Sequence, residues 1–249
     1  PAELIGEAPV CPSDDEETGS RSLSHDEVKQ LVEDFIVAAE RAQQAGFDGV
    51  ELHGAHGYIL CQFFSDETNL RNDEYGGSVE NRWRILDEII DGVRSRCRDD
   101  FMLGVRLSPE RFGMRLTEVK STAQRLMEGG QLDFLDMSLW DVFKEPVEEA
   151  HQGRSLLSHF AELPRGNTRL GVAGKIRTPA EAEQAMNEGV DWIMLGRAAI
   201  LHHDFPNRYA RDSGFEPVTT PVTRSHLEAE GLSERFVDYM SSWAGFVEG

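Results

Sequence analysis

Apolar residues at Val28, Leu31, Val32, Phe35, Ile36, Ala39 and Ala42 recur every three or four positions, the spacing of one helix face, and predict a helix over 24–45. Ser24, with Glu27 three residues on, makes a capping-box start, and Gly46 supplies the stop. The run 47–52 (FDGVEL) then reads as a short buried strand ending at His53. The same unit recurs. A helix over 81–96 precedes a strand at 101–107, and a helix over 118–127, closed by Gly129 and Gly130, precedes a strand at 132–137. After a longer loop come a strand at 169–173, a helix over 179–187, a strand at 191–195 and a last helix near 233–243. Residues 1–23 hold three Pro and the acidic run 14–17 without apolar periodicity, and read as coil.

Strands that alternate with helices predict a parallel sheet covered by helices. Five such strands suit either an open doubly wound sheet or part of an eight-stranded β/α barrel, and counting does not choose between them. An open sheet carries a Gly-rich phosphate loop after its first strand. Here that turn is HGAHGY, residues 53–58, so chemistry must come from its imidazoles and phenol. No low-complexity linker divides the chain, and 1–249 is read as a single domain.

Composition narrows the classes. The 249 residues are 39% hydrophobic, enough to bury a sizeable core. With 25 Lys plus Arg against 45 Asp plus Glu, the formal charge of −20 repels phosphate backbones and anionic lipid, so neither nucleic acid nor a membrane is an expected partner. Cys11, Cys61 and Cys97 are odd in number and widely spaced, with no C-x-x-C, which points away from a disulfide framework and toward a reducing, cytoplasmic setting. No apolar run approaches the roughly 20 residues that span a bilayer, and the N-terminus lacks a signal pattern.

His53, His56 and Tyr58 fall just beyond the C-terminal end of a strand, the edge on which α/β folds place their sites. Two imidazole N–H groups can donate to one oxygen as it gains negative charge, and a nearby phenol can deliver a proton to carbon. The plain alternative is a set of loop side chains satisfied by backbone. A zinc site lacks H-E-x-x-H and a fitting third ligand, so no metal is expected.

The segment HGAHGY, followed by YILCQFFSDETNLRNDEYGGSVENRWR, resembles the signature of the Old Yellow Enzyme family of FMN-dependent NAD(P)H oxidoreductases, unbroken from His53 to Arg82. GVRLSP at 104–109, GVAGKIRTP at 171–179 and DWIMLGR at 191–197 extend the similarity over nearly the whole chain. The resemblance implies an eight-stranded β/α (TIM) barrel in which the strands read here are the fourth to eighth. The first three are then missing, and the stretch 9–13 looks like the segment after strand three. A fragment, or part of a longer protein, is the expectation. The resemblance also implies FMN as cofactor, NAD(P)H as reductant, and an electron-poor alkene or quinone as substrate, and it is compatible with a homo-oligomer.

Site roles follow from the same resemblance. His53 and His56 would hold the substrate carbonyl and Tyr58 would donate the proton. Arg106 would face the flavin N1 and O2, its alternative being an ion pair with an acid such as Asp136. Gly174, Lys175, Gly196 and Arg197 would form the phosphate site; many relatives have a second Gly where Lys175 stands. The motif 73–82 is read as structural, with Ser78 as N-cap, Gly76 and Gly77 in a tight turn and Arg82 paired with an upstream acid. His202 and His203 are read as surface imidazoles beside a turn at 204–207, Cys61 as packing, and Trp140, in the loop 138–168, as either a substrate cover or local packing.

Two rivals stand beside this reading. A dienoyl-CoA reductase or amine dehydrogenase of the same barrel type would carry a clustered set of iron–sulfur Cys and further nucleotide-binding domains, which three scattered Cys and an early C-terminus disfavour. A non-catalytic truncated barrel would need a partner for its open strand edges.

Overall fold

The computed structural model describes residues 6–249. The coil expected over 1–23 holds a small exception: β1 (Val10–Cys11) and β2 (Arg21–Ser22) pair in parallel. Reciprocal backbone bonds between Asp15 and Ser20, at 3.0 and 3.1 Å, close the turn between them, and the Asp14 carboxylate takes the Ser22 N–H at 2.6 Å. Two-residue strands need no hydrophobic period, so no alternation marks them.

Next comes α1 (His25–Gln44), started by the capping box of Ser24 and Glu27, a device worth about 1 kcal/mol. It buries Val28, Val32, Ile36 and Ala39. The elements then run β3 (Gly49–Gly54), α2 (Ile59–Phe64), α3 (Val79–Arg96), β4 (Met102–Leu107), α4 (Leu116–Glu128), β5 (Phe134–Ser138), α5 (Leu156–Ala161) and β6 (Arg169–Ala173). They finish with α6 (Pro179–Asn187), β7 (Trp192–Met194), α7 (Arg197–Leu201), α8 (Phe205–Arg211), α9 (Arg224–Ala229) and α10 (Glu234–Ser241). Strands β3 to β7 form one parallel sheet in sequence order, as the alternation requires. Among the described residues the sheet has five strands and ends at β3 and β7.

Strand periodicity sorts the residues into two faces. Leu52, Leu103, Val105, Leu107, Leu135, Met137, Leu170 and Val172 point to the helices and are buried. The other face carries Glu51 and His53 on β3, Gly104 and Arg106 on β4, Phe134, Asp136 and Ser138 on β5, Gly171 and Ala173 on β6, and Trp192 and Met194 on β7. Its lower layer is aromatic: Phe134 and Trp192 meet edge to face at 5.6 Å. Each ring lies over a glycine of the neighbouring strand, since a Cβ on Gly104 would stand 2.1 Å from Phe134 and one on Gly171 2.2 Å from Trp192.

Three expectations need correction here. Arg82 pairs with Glu118, downstream on α4, because its guanidinium also donates to the carbonyls of Phe64 and Gly77 and thereby points toward α4. The stretch 204–207 is no free turn: Pro206 occupies the first turn of α8, where its missing N–H costs nothing. His202 is buried; its Nε2 accepts from the Val218 N–H at 2.9 Å, and it packs edge to face on Phe215 and His226. His203 is exposed, as read, and bonds Glu230 at 2.6 Å. His202, His226 and Glu230 are close enough for a shared ion. With Nε2 accepting, however, neutral His202 carries its proton on Nδ1 and presents a donor there.

Residues 222–249 add a small cluster of Val222, Leu227, Val237, Met240 and Phe246 against Leu201, tied by backbone bonds between Val222 and Phe246 and between Glu248 and Val222. The cysteines are all free and buried, and burial pushes the Cys61 thiol up to about 11, as suits packing. No helix among the described residues is long and apolar enough to cross a membrane.

Candidate active site

The C-terminal ends of β3 to β7 open onto a cleft of about 700 Å³. His56, Arg106 and Ser138 line one part of it, Gly174, Lys175, Gly196 and Arg197 another, with Trp140 and Trp243 also on the wall. His53 and Tyr58 do not line this cleft; they adjoin it through His56. The His53 and His56 ring centroids are 5.0 Å apart, and those of His53 and Tyr58 5.4 Å. The three residues of the HGAHGY turn are therefore brought together, with Tyr58 64% exposed at the rim.

Local backbone geometry makes this possible. His53 lies inside β3, with Arg106 as its register neighbour on β4. The chain then turns through His56 at φ 62° and Gly57 at φ 74°, and α2 begins at Ile59. A left-handed non-glycine residue is strained, and such strain gathers at sites where a side chain must be aimed. His56 is held from both ends: its backbone N–H donates to Ser108 Oγ at 3.1 Å, and its Nε2 sits 2.7 Å from Ser138 Oγ.

Burial lowers the pKa of both histidines, and the Arg106 guanidinium lowers it further. They are neutral at pH 7, so each has one N–H donor and one bare nitrogen. Arg106 itself reaches Asp136, its register neighbour on β5, with Nε 3.0 Å from Oδ2. The ion pair named as the alternative for Arg106 is thus present. It leaves the Arg106 side chain 20% exposed toward the cleft, whereas that of Asp136 is 0% exposed. Burial raises the Asp136 pKa, which Arg106 opposes; Glu51, on the same face, is pushed up to about 7 by burial first and by Asp136 second.

On the far side, Gly174 has φ 155°, and a Cβ there would come within 2.9 Å of the Trp140 and Asp141 backbone. The β6 loop and the loop after β5 can touch only through a glycine. Lys175 follows in the left-handed region, at φ 51°, and its Nζ lies 3.1 Å from Asp141 Oδ2. Its side chain is therefore drawn to the Trp140 loop. Gly196 precedes α7 with no side-chain cap and with open space where a Cβ would be. Trp140 is exposed on the cleft wall, and Arg111 stacks on its ring at 4.1 Å, which is the local packing named as one of its two alternatives.

The motif 73–82 is spent on structure. Asn69 bonds the carbonyls of Phe63 and Tyr75, Tyr75 donates to Glu88 at 2.7 Å, and Ser78 caps α3. Sequence reasoning missed Ser138, Arg177 and Trp243 as cleft residues. Ser138 carried a usable signal, since it directly follows the strand read at 132–137; Trp243 carried none.

Residues 5–213 match the family described as NADH:flavin oxidoreductase / NADH oxidase. The probable NADH-dependent flavin oxidoreductase YqiG of Bacillus subtilis (strain 168) is 34% identical over 212 residues, 81% of this chain and 57% of that protein. The NADH oxidase of Thermoanaerobacter brockii is 34% identical over 198 residues, 77% of this chain and 30% of that protein. Among solved structures, the old yellow enzyme homologue from Zymomonas mobilis superposes with a TM-score of 0.73 at 29% identity, covering 88% of this chain and 65% of that one. Morphinone reductase in complex with tetrahydroNAD gives 0.68 at 28%, covering 90% and 64%. The chain belongs to the NADH:flavin oxidoreductase / NADH oxidase family. It spans less than two thirds of the length of these relatives.

The family works with FMN and NAD(P)H. The residues present suit FMN: a cleft of fitting size joins a cationic, imidazole-lined part to one with open backbone at Gly196 and the cations Lys175, Arg177 and Arg197. Four cations, Arg106 included, face one cleft in a protein of net charge −20.

Proposed function

We propose that residues 1–249 form one unit, the C-terminal portion of an FMN-binding β/α barrel that reduces the C=C bond of α,β-unsaturated carbonyl compounds at the expense of NAD(P)H. The observation that carries this reading is the neutral pair His53 and His56, 5.0 Å apart, beside Tyr58 and next to the permanent cation Arg106. FMN, when bound, would supply the hydride chemistry that links NAD(P)H to the β carbon of the alkene.

The chain's own residues do the rest. His53 and His56 each offer one N–H to the carbonyl oxygen and stabilise the enolate as charge develops; a lost donor of this type costs about 3 kcal/mol in comparable sites. Neutral imidazoles suit the task, because a charged one would lose its proton to the enolate instead of holding it. Tyr58 delivers the proton to the α carbon, and its exposure at the rim lets it be reprotonated from solvent. Arg106 would provide fixed positive charge to a reduced cofactor, and Arg177, Arg197 and the backbone N–H of Lys175 would serve the phosphate end.

The experiment is a His53→Ala/His56→Ala double variant assayed for binding of phenolic ligands, whose oxygen mimics the enolate. Loss of phenol binding with FMN retained supports the pair's role; phenol binding at the original strength removes it. One observation favours a second reading, a non-catalytic half-barrel: β3 and β7 end the sheet with free edges among the described residues. Failure of the protein to take up FMN would favour that alternative.

A further inference from the structure

Ser138 closes β5 with its hydroxyl between two groups of opposite demand. His56 Nε2 lies 2.7 Å from Ser138 Oγ, and Arg106 Nη2 lies 3.5 Å from the same oxygen. A guanidinium has donors only and keeps its charge, so it turns the lone pairs of the serine oxygen toward itself. Arg106 cannot rotate away at no cost, because Nε is 3.0 Å from the wholly buried Asp136 carboxylate, whose oxygens have no other partner. One hydroxyl proton is then left to Ser138, and the acceptor within reach is His56 Nε2.

We propose that Ser138, oriented by Arg106, donates its hydroxyl proton to His56 Nε2 and thereby fixes His56 as the Nδ1–H tautomer. A neutral imidazole has a single N–H, so this arrangement leaves Nδ1–H as the donor His56 offers to a bound oxygen. In the opposite tautomer Nε2–H would be consumed by Ser138 and the bare Nδ1 would repel an oxyanion. Ser138 is a positioning residue that acts through His56, and Asp136 holds the same line one step further back. Burial and the nearby cation keep His56 neutral, which makes the tautomer a meaningful choice. The purpose assigned to Nδ1–H rests on the function proposed above; the tautomer itself depends only on groups of this chain.

The test is nitrogen-15 NMR of the histidine rings in the purified protein at pH 7.5, with His56 assigned by its loss in His56→Gln. The wild-type protein is expected to show a protonated Nδ1 and a bare Nε2. Ser138→Ala should shift His56 toward Nε2–H, the form favoured by free histidine in water, and Ser138→Thr should restore the original pattern. A wild-type Nε2–H signal, or an unchanged tautomer in Ser138→Ala, overturns the proposal. The wild-type spectrum decides the matter even where the alanine variant does not fold. Phenol binding that survives the double histidine variant would overturn the oxyanion role while leaving the tautomer result intact, so the two failures are distinguishable.

Discussion

Arg106 and Asp136 occupy directly paired positions on β4 and β5 and meet at 3.0 Å on the face that bears His53. Asp136 has no exposure and no other partner, so it can remain charged only because Arg106 is there. Asp136→Ala leaves the guanidinium without its anchor on a partly buried face. The expected loss is roughly 3 kcal/mol, at the lower end for a broken buried pair because Arg106 still touches solvent. Urea unfolding measures it; a loss under about 0.5 kcal/mol would show that the pair holds nothing in place.

Gly171 lets the Trp192 ring lie across β6, and any Cβ there would collide with the indole. Gly171→Ala should destabilise by roughly 2 kcal/mol through overpacking. In a Trp192→Leu background the same change should cost much less, because the colliding ring is gone. A double-mutant cycle that gives simple additivity would contradict the contact.

Glu51 is an acid whose pKa is raised from 4.5 to about 7 in the folded protein. Between those values the folded state binds the extra proton, so the contribution of Glu51 is fully present below about 4.5 and is lost as the pH rises through about 7. Glu51→Gln should therefore flatten the fall in melting temperature over that window. Identical pH profiles for the two proteins would show that Glu51 titrates as it does in solution.

Lys175 stands in the left-handed region and directs its amine to Asp141. Lys175→Gly relieves backbone strain and gives up a partly exposed ion pair worth about 0–1 kcal/mol, so stability should change by less than about 1 kcal/mol. Because the amine is committed to the Trp140 loop, FMN affinity should fall only a few-fold. A hundred-fold loss would mean that the amine turns to the phosphate instead.

The long elements were legible in the sequence because several signals agree in each. Ser24 with Glu27 and the period of α1, and the glycine stops at Gly46 and Gly129, place boundaries to within a few residues. Short helices were not legible. α2 (ILCQFF) is a brief apolar run that fits helix or strand, α8 hides behind turn-forming Asp204 and Pro206, and α5 lies in a stretch read as loop. Within the site, the HGAHGY turn and Arg106 were found from residue type and strand end. The commitments of Arg82 to Glu118, Lys175 to Asp141 and Ser138 to His56 were not, since each joins elements more than 30 residues apart.

The most direct test of the account is the visible absorption spectrum of the purified protein before and after addition of FMN, followed by NAD(P)H. The expected result is a bound flavin band that NAD(P)H bleaches and that an α,β-unsaturated ketone restores. A colourless protein that takes up no FMN, or a bound flavin that NAD(P)H leaves oxidised, would contradict it.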